Sequence, residues 1–158
     1  KPMDMRRGRK PVRLSADDLG KSHYLISKKF AGGASDLEGY LLLARTAFDA
    51  AVASGVLDPE TGLAYRSVAM MIAYNIAAAC WPGWETPSPG LTEAHQATAL
   101  EYCRFNVATE LQVLSGRRMN GHWITGAHLM AAGSYDDAER RLGRQCGSRA
   151  KPTSKMRP

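Results

Sequence analysis

The sequence predicts an all-α fold of about six helices, paired as antiparallel hairpins in the manner of helical repeats, with disordered basic termini. Two observations predict it. Apolar residues recur at steps of three and four along most of the chain, and no segment alternates with period two for long enough to make a strand. We therefore divide the chain into a basic arm, a helical domain and a basic tail. Their ranges are residues 1–14, 15–146 and 147–158.

Capping residues indicate where the helices begin, and glycines indicate where most of them end. Ser15 and Thr92 are predicted N-caps. Ser35–Glu38 reads as a capping box, in which the serine hydroxyl caps the third amide and the glutamate reaches back. Gly55 is the predicted stop of that helix, and Pro59 fits the first turn of the next. The predicted helices span about 16–31, 35–54, 59–80, 93–115, 120–132 and 135–145.

The third predicted helix is apolar nearly all round, which is typical of a central helix with neighbours on several sides. The segment that follows it, residues 81–90, contains three prolines and is therefore a loop. The loop carries Trp81 and Trp84. We expect these side chains to fold back onto the third helix or, alternatively, to anchor a protein partner.

The last two helices carry a sequence motif, GHWITGAHLMAAGSYDDAERRL, over residues 121–142. Its aromatic, small and apolar positions are Trp123, Gly126, Leu129, Gly133, Tyr135, Ala138 and Leu142. In that spacing the segment resembles one tetratricopeptide repeat, although no second copy follows at the period of about 34 residues. The resemblance implies a helical hairpin with a groove for a partner peptide, faced by Asn120, Trp123, Ala127 and Met130. The alternative is that Trp123 and Met130 belong to the core.

Charge is divided unevenly along the chain. The net charge is +6, of which residues 1–13 contribute +5 and residues 140–158 contribute +7; subtraction leaves −6 for residues 14–139. Basic arms on an acidic body typically contact phosphate or an acidic surface. The residues predicted to bind nucleic acid are Arg6, Arg7, Arg9, Lys10, Arg13, Arg149, Lys151, Lys155 and Arg157.

The first arm contains a second short motif, Arg7-Gly8-Arg9-Lys10-Pro11. It resembles the core of an AT-hook, which implies that the two arginines enter a narrow minor groove of DNA. The usual core has proline directly after the second arginine, whereas here Lys10 intervenes. An extended strip of guanidinium groups also suits RNA phosphates, and we favour RNA over DNA as the partner of the arms.

No residue pattern predicts catalysis, a metal site or a cofactor. The four histidines lack zinc-ligand spacing, and the sequence holds no phosphate-binding glycine loop or nucleophile motif. Cys80, Cys103 and Cys146 have no CxxC spacing, which predicts buried thiols in a reducing compartment, the cytoplasm or an organelle matrix. No apolar stretch has the length of a membrane span, so we expect no membrane partner.

Together these features predict a non-catalytic helical interaction or scaffold subunit of a larger assembly. Its body would contact protein subunits, and its arms would contact RNA. Two alternatives remain open: a DNA-binding regulator or phage packaging component, and a peptide-binding adaptor that uses no nucleic acid. The residues predicted to bind a protein partner are Trp81, Trp84, Asn120, Trp123 and Met130.

Overall fold

The structure is a computed structural model that describes residues 13–57, 60–110, 118–134 and 136–140. Within these ranges the chain forms helices and no strand, which confirms the prediction of an all-α fold. The helices are α1 (Ala16–Ala31), α2 (Leu37–Leu57), α3 (Gly62–Ala79), α4 (Glu93–Glu110) and α5 (Arg118–Ala131), and residues 136–140 are helical as well. None of the described helices is long and apolar enough to cross a membrane.

Helix α3 lies at the centre, as its apolar sequence predicts. It contacts α1, α2, α4 and α5, and its side chains at Ile72 and Ile76 are fully buried. Helices α2 and α4 meet beside it through aromatic side chains, because the Phe48 ring packs edge-on against Tyr102 and Phe105 at centroid distances of 5.0 and 4.8 Å. The core therefore surrounds α3, and its neighbours are positioned by contact with that helix.

Helices α1 and α4 begin at the predicted caps. The Ser15 hydroxyl accepts the N–H of Asp18 at 3.1 Å. At α4 the Thr92 hydroxyl accepts the N–H of His95 at 3.4 Å, while the backbone N–H of Thr92 donates to His95 Nδ1 at 3.0 Å. Each of these helices thus uses side-chain acceptors to satisfy N–H groups that have no partner within the first turn.

The predicted capping box of α2 is wrong. The N-cap is Asp36, whose Oδ1 accepts the N–H of Gly39 at 2.7 Å, and the Ser35 hydroxyl instead donates to the Asp36 carbonyl. The Glu38 carboxylate reaches across to the imidazole of His95 on α4. A carboxylate is a stronger acceptor than a hydroxyl at the positive end of a helix, so Asp36 takes the capping position.

The predicted stop at Gly55 is also wrong, because α2 continues through this residue to Leu57. Gly55 and Gly62 lie where α2 and α3 approach closely: a Cβ on Gly62 would stand 2.6 Å from the Gly55 carbonyl oxygen. Because glycine has no side chain, Gly55 and Gly62 allow the two helices to approach closely. Gly55 does not mark the end of α2. Gly133 does take the predicted left-handed conformation after α5, with a φ of 78°.

Arg13, a predicted nucleic-acid contact, packs against its own helical body. Its Nε donates to the Ser54 hydroxyl at 3.0 Å, another guanidinium N–H donates to the Ser54 carbonyl, and the guanidinium lies 5.2 Å from the centre of the Tyr65 ring. The Tyr65 hydroxyl in turn donates to the Leu14 carbonyl at 2.8 Å. The last two residues of the basic arm are therefore attached to the body beside the carboxyl end of α2.

Several predictions concern residues outside the described ranges. They include the AT-hook-like motif, the predicted parts of the fourth and sixth helices at 111–115 and 141–145, and Pro59, Tyr135, Leu142 and Cys146. The eight other basic residues assigned to nucleic acid also lie there: Arg6, Arg7, Arg9, Lys10, Arg149, Lys151, Lys155 and Arg157. The pairing of helices as hairpins and the likeness to a tetratricopeptide repeat stay predictions.

Candidate partner-binding site at the tryptophan cluster

The three tryptophans of the chain meet at one end of α3. Trp81 lies edge-on to Trp84 and to Trp123, with ring centroids 4.7 and 5.4 Å apart, and the Trp84 and Trp123 centroids are separated by 6.1 Å. Such edge-to-face geometry is favoured between aromatic rings. We call Trp81, Trp84 and Trp123 the tryptophan cluster.

The loop after α3 folds back and supplies hydrogen-bond donors to the end of that helix. The Trp84 indole N–H donates to the Ala78 carbonyl at 2.6 Å, and the Ser88 hydroxyl donates to the Ala79 carbonyl at 2.6 Å. Both carbonyls belong to the last turn, where a helix leaves acceptors without intrahelical partners. This finding agrees with the expectation that Trp81 and Trp84 fold back onto the third helix.

Gly83 gives the loop room for this arrangement. A Cβ at this position would lie 2.6 Å from the Trp81 ring, closer than a carbon atom can approach. The indole of Trp81 therefore lies directly over the Gly83 backbone, and the loop can follow the ring closely.

Helix α5 brings the third tryptophan to this loop. His128 is buried, and its Nε2–H donates to the Ala77 carbonyl at 2.7 Å. Burial is the main cause that lowers the pKa of His128, so the imidazole is held neutral, with its proton on Nε2. Together with fully buried Ile124, this contact fixes α5 against α3 and places Trp123 beside Trp81.

A cavity of about 560 Å³ opens beside the cluster. Its lining comes from the loop after α3 and from one side of α5: Trp81, Pro82, Gly83, Trp123, Ala127, Met130 and Ala131. Met130 at its edge is 49% exposed, and the neighbouring Trp84 is 41% exposed. Cavities of about 300–1,000 Å³ with mostly apolar walls are typical ligand sites. This cavity suits the binding of a side chain, and its described lining residues include no nucleophile or titratable group.

Four of the five residues predicted to bind a partner come together at this cavity. Trp81, Trp123 and Met130 line it, and Trp84 packs against its wall. Asn120 lies in α5, and its side chain is outside the described part of the chain. Pro82, Gly83 and Ala131 were not among the predicted site residues, because small or cyclic residues in a loop or at a helix end carry no signal of a cavity until its walls are assembled.

The side chains of His95, Cys80 and Cys103 serve the fold. His95 accepts the Thr92 N–H at Nδ1, so its proton is on Nε2 and is donated to Glu38, which ties the start of α4 to the start of α2. Cys80 and Cys103 are buried free thiols, as predicted. In the described ranges, no group of three His, Cys, Asp or Glu side chains is placed to hold a metal ion.

A second groove, of about 760 Å³, runs between α1 and α3. Asp17 and Lys21 form an exposed ion pair at its rim, with Nζ 2.6 Å from Oδ2. Tyr24 and Leu25 are largely exposed beside it. The groove holds none of the residues predicted to bind a partner, and it is therefore the weaker candidate.

The fold and the cavity define an all-α protein with an aromatic-walled site on its surface. The described residues that line this site include no catalytic group. Comparison of the chain with family models, curated protein sequences and solved structures finds no match.

Proposed function

We propose that the chain is a non-catalytic helical interaction subunit that binds a protein partner at the cavity beside the tryptophan cluster. The observation that carries the proposal is the convergence of Trp81, Trp84, Trp123 and Met130, from two separate parts of the sequence, around one cavity. Tryptophan is enriched among the few residues that dominate the affinity of protein interfaces.

The fixed position of the tryptophan rings and the exposure of Met130 support this proposal. The cluster is attached to α3 through the Trp84–Ala78 hydrogen bond, so its rings are ordered before a partner arrives. Preorganised aromatic side chains lose little conformational entropy on binding. Met130 adds a flexible, partly exposed thioether side chain that can adapt to a partner's shape.

The arms extend the proposal to a ribonucleoprotein assembly. Residues 1–13 and 140–158 carry charges of +5 and +7, whereas the segment between them carries −6. The contacts of Arg13 with Ser54 and Tyr65 attach the first arm at a defined place on the body. RNA phosphates are the partner that we propose for the basic residues on either side of the helical domain.

A charge placed at the cavity tests partner binding. Met130→Lys puts an ammonium group at the edge of an apolar cavity, where it needs desolvation if a partner covers it. Leu25→Lys is the matched control, because Leu25 is 62% exposed on α1, away from the cavity. Tagged full-length proteins are used to capture partners from native lysate, with and without nuclease.

We expect Met130→Lys to lose protein partners that the wild type and Leu25→Lys keep after nuclease treatment. Capture of the same partners, in the same amounts, by both variants contradicts a role for the cavity. Circular dichroism of both variants establishes that they are folded.

A salt titration tests the arms separately. RNA affinity is compared between the wild type and a variant in which Arg6, Arg7, Arg9 and Lys10 are replaced by alanine. Loss of four phosphate contacts lowers the slope of log K against log[salt] by about 3 for single-stranded RNA. Equal affinity and equal slope exclude the first arm as an RNA contact. An AT-rich DNA duplex in the same assay tests the AT-hook-like alternative.

A further inference from the structure

We propose that the cavity beside the tryptophan cluster binds a cationic side chain, so that the partner presents an arginine- or lysine-bearing segment. This inference rests on the proposed function and adds the chemistry of the partner. It is carried by the aromatic walls of the cavity together with the absence of lysine and arginine from residues 67–103 and 119–139, the two segments that contain its described lining residues.

These segments are distinct in charge. Residues 67–103 supply most of α3, the tryptophan-bearing loop and the first part of α4. Residues 119–139 supply α5 without its first residue, Arg118, and the helical segment after it without its last described residue, Arg140. Neither segment contains a lysine or an arginine, although the whole chain contains 21. Their acidic residues are Glu85, Glu93, Glu101, Asp136, Asp137 and Glu139.

Three of these acids flank the cavity in sequence. Glu85 directly follows Trp84 and is exposed. Asp136 and Asp137 are exposed and come within six residues of Ala131, which lines the cavity. Asp137 pairs with Arg140 in the next turn, whereas Glu85 lies in a loop whose nearest cationic residues in sequence are Arg66 and Arg104. The surroundings of the cavity therefore favour a positive partner.

The walls of the cavity suit a cation as well. The face of an aromatic ring attracts cations, and among the aromatic side chains tryptophan attracts them most strongly. Arginine and lysine also carry apolar stems that can lie along Pro82, Ala127 and Met130 while the charged group meets a ring face or a carboxylate. A partner's leucine would fill the cavity without using the acids, and a partner's glutamate would be repelled by them.

Tryptophan fluorescence emission measures peptide binding at the cavity directly. The chain contains three tryptophans, and all of them belong to the cluster, so the emission of the full-length protein reports on this site alone. Short blocked peptides that differ only in a central Arg, Leu or Glu, flanked by alanines, are titrated into the protein. Indole N–H resonances in NMR spectra provide the second readout.

We expect the arginine peptide to give a saturable change that weakens as salt is raised, because exposed charges are screened. The glutamate peptide is expected to give no saturable change. Tighter or equal binding of the leucine peptide, or no saturable response to the arginine peptide, overturns the cationic proposal. Either result leaves the proposed function standing as long as Met130→Lys abolishes partner capture, so failure of the cationic proposal is distinguishable from failure of the proposed function.

A matched pair of variants tests the acids. Glu85→Gln removes the charge beside Trp84 and keeps the shape of the side chain, and we expect it to weaken the arginine peptide about two- to fivefold. Asp18→Asn, on α1, is the control and is expected to leave the affinity unchanged. An equal effect of both substitutions, or no effect of Glu85→Gln on the arginine peptide, contradicts a role for local charge.

Discussion

His23 is expected to make the protein sensitive to mild acid. Its ring lies between α1 and α3 and is only 1% exposed. The Asn75 amide Nδ2 lies 3.0 Å from His23 Nε2 and donates to it, so the ring proton is on Nδ1. That N–H is buried and has no hydrogen-bond partner among the described residues. A second proton would add a charge in this site, and burial lowers the pKa of His23 from 6.5 to about 4.

The sign and the size of the effect follow from proton linkage. Between about pH 6.5 and about pH 4 the unfolded chain binds a proton at this histidine and the folded chain does not, so the free energy of unfolding falls as the pH falls. Each unit of pKa difference corresponds to about 1.4 kcal/mol, and the whole window to about 3 kcal/mol. Below about pH 4 both states are protonated and this contribution levels off.

The substitution His23→Gln removes the titration and keeps an oxygen that can accept from Asn75. Urea unfolding followed by circular dichroism, repeated from about pH 7 to about pH 4, gives the free energy of unfolding at each pH. We expect the variant to lose less stability than the wild type over this range, by up to about 3 kcal/mol. Ser27→Ala is the control, because Ser27 Oγ lies 3.2 Å from His23 Nε2 and the histidine stays titratable.

Equal loss of stability in the wild type and in His23→Gln over this range would refute the reasoning. Ser27→Ala is expected to lower the stability at every pH and to keep the dependence on acid. His128, whose pKa burial also lowers, contributes in the same direction. The double variant His23→Gln, His128→Gln is therefore expected to have the weakest pH dependence of the set.

Two further predictions concern glycines and thiols. Gly62→Ala places a Cβ 2.6 Å from the Gly55 carbonyl oxygen and is expected to lower the free energy of unfolding by about 1–3 kcal/mol. At Gly20 the nearest atom to an added Cβ is 3.8 Å away, so Gly20→Ala is expected to raise the free energy of unfolding by up to about 1 kcal/mol. Urea unfolding of both variants is the measurement, and equal effects contradict the close approach. Burial raises the pKa of Cys80 to about 11 and that of Cys103 to about 12, so both thiols are expected to resist alkylation until the protein unfolds. Mass spectrometry locates the label, and prompt modification of either thiol in folded protein contradicts their burial.

Local hydrogen bonding made several helix ends predictable from the sequence. Ser15 and Thr92 cap their helices because a hydroxyl within reach of the first amides needs no distant partner. The end of α2 was not predictable in this way. Gly55 looks like a stop in the sequence, but its role depends on Gly62, which approaches only when α2 and α3 pack together. The same holds for Glu38, which binds His95 on another helix.

The residue types of the site were predictable, whereas their assembly was not. Trp81 and Trp84 stand out in a proline-containing loop, and Trp123 stands out in the motif that resembles a tetratricopeptide repeat. Their meeting depends on how α5 packs against the end of α3, which involves the buried contact of His128 with Ala77. The surroundings of His23 were not predictable either, since its burial, and an N–H without a hydrogen-bond partner among the described residues, depend on neighbours from another helix.

The indole of Trp84 has two roles, because it packs in the cluster and donates to the Ala78 carbonyl of the central helix. A partner that draws this indole toward itself removes a donor from the last turn of α3. The amides of that turn would then exchange with solvent faster, even though they lie outside the contact surface. Binding at the cavity would in this way change the stability of the last turn of the central helix, and hydrogen exchange of the α3 amides measures that change.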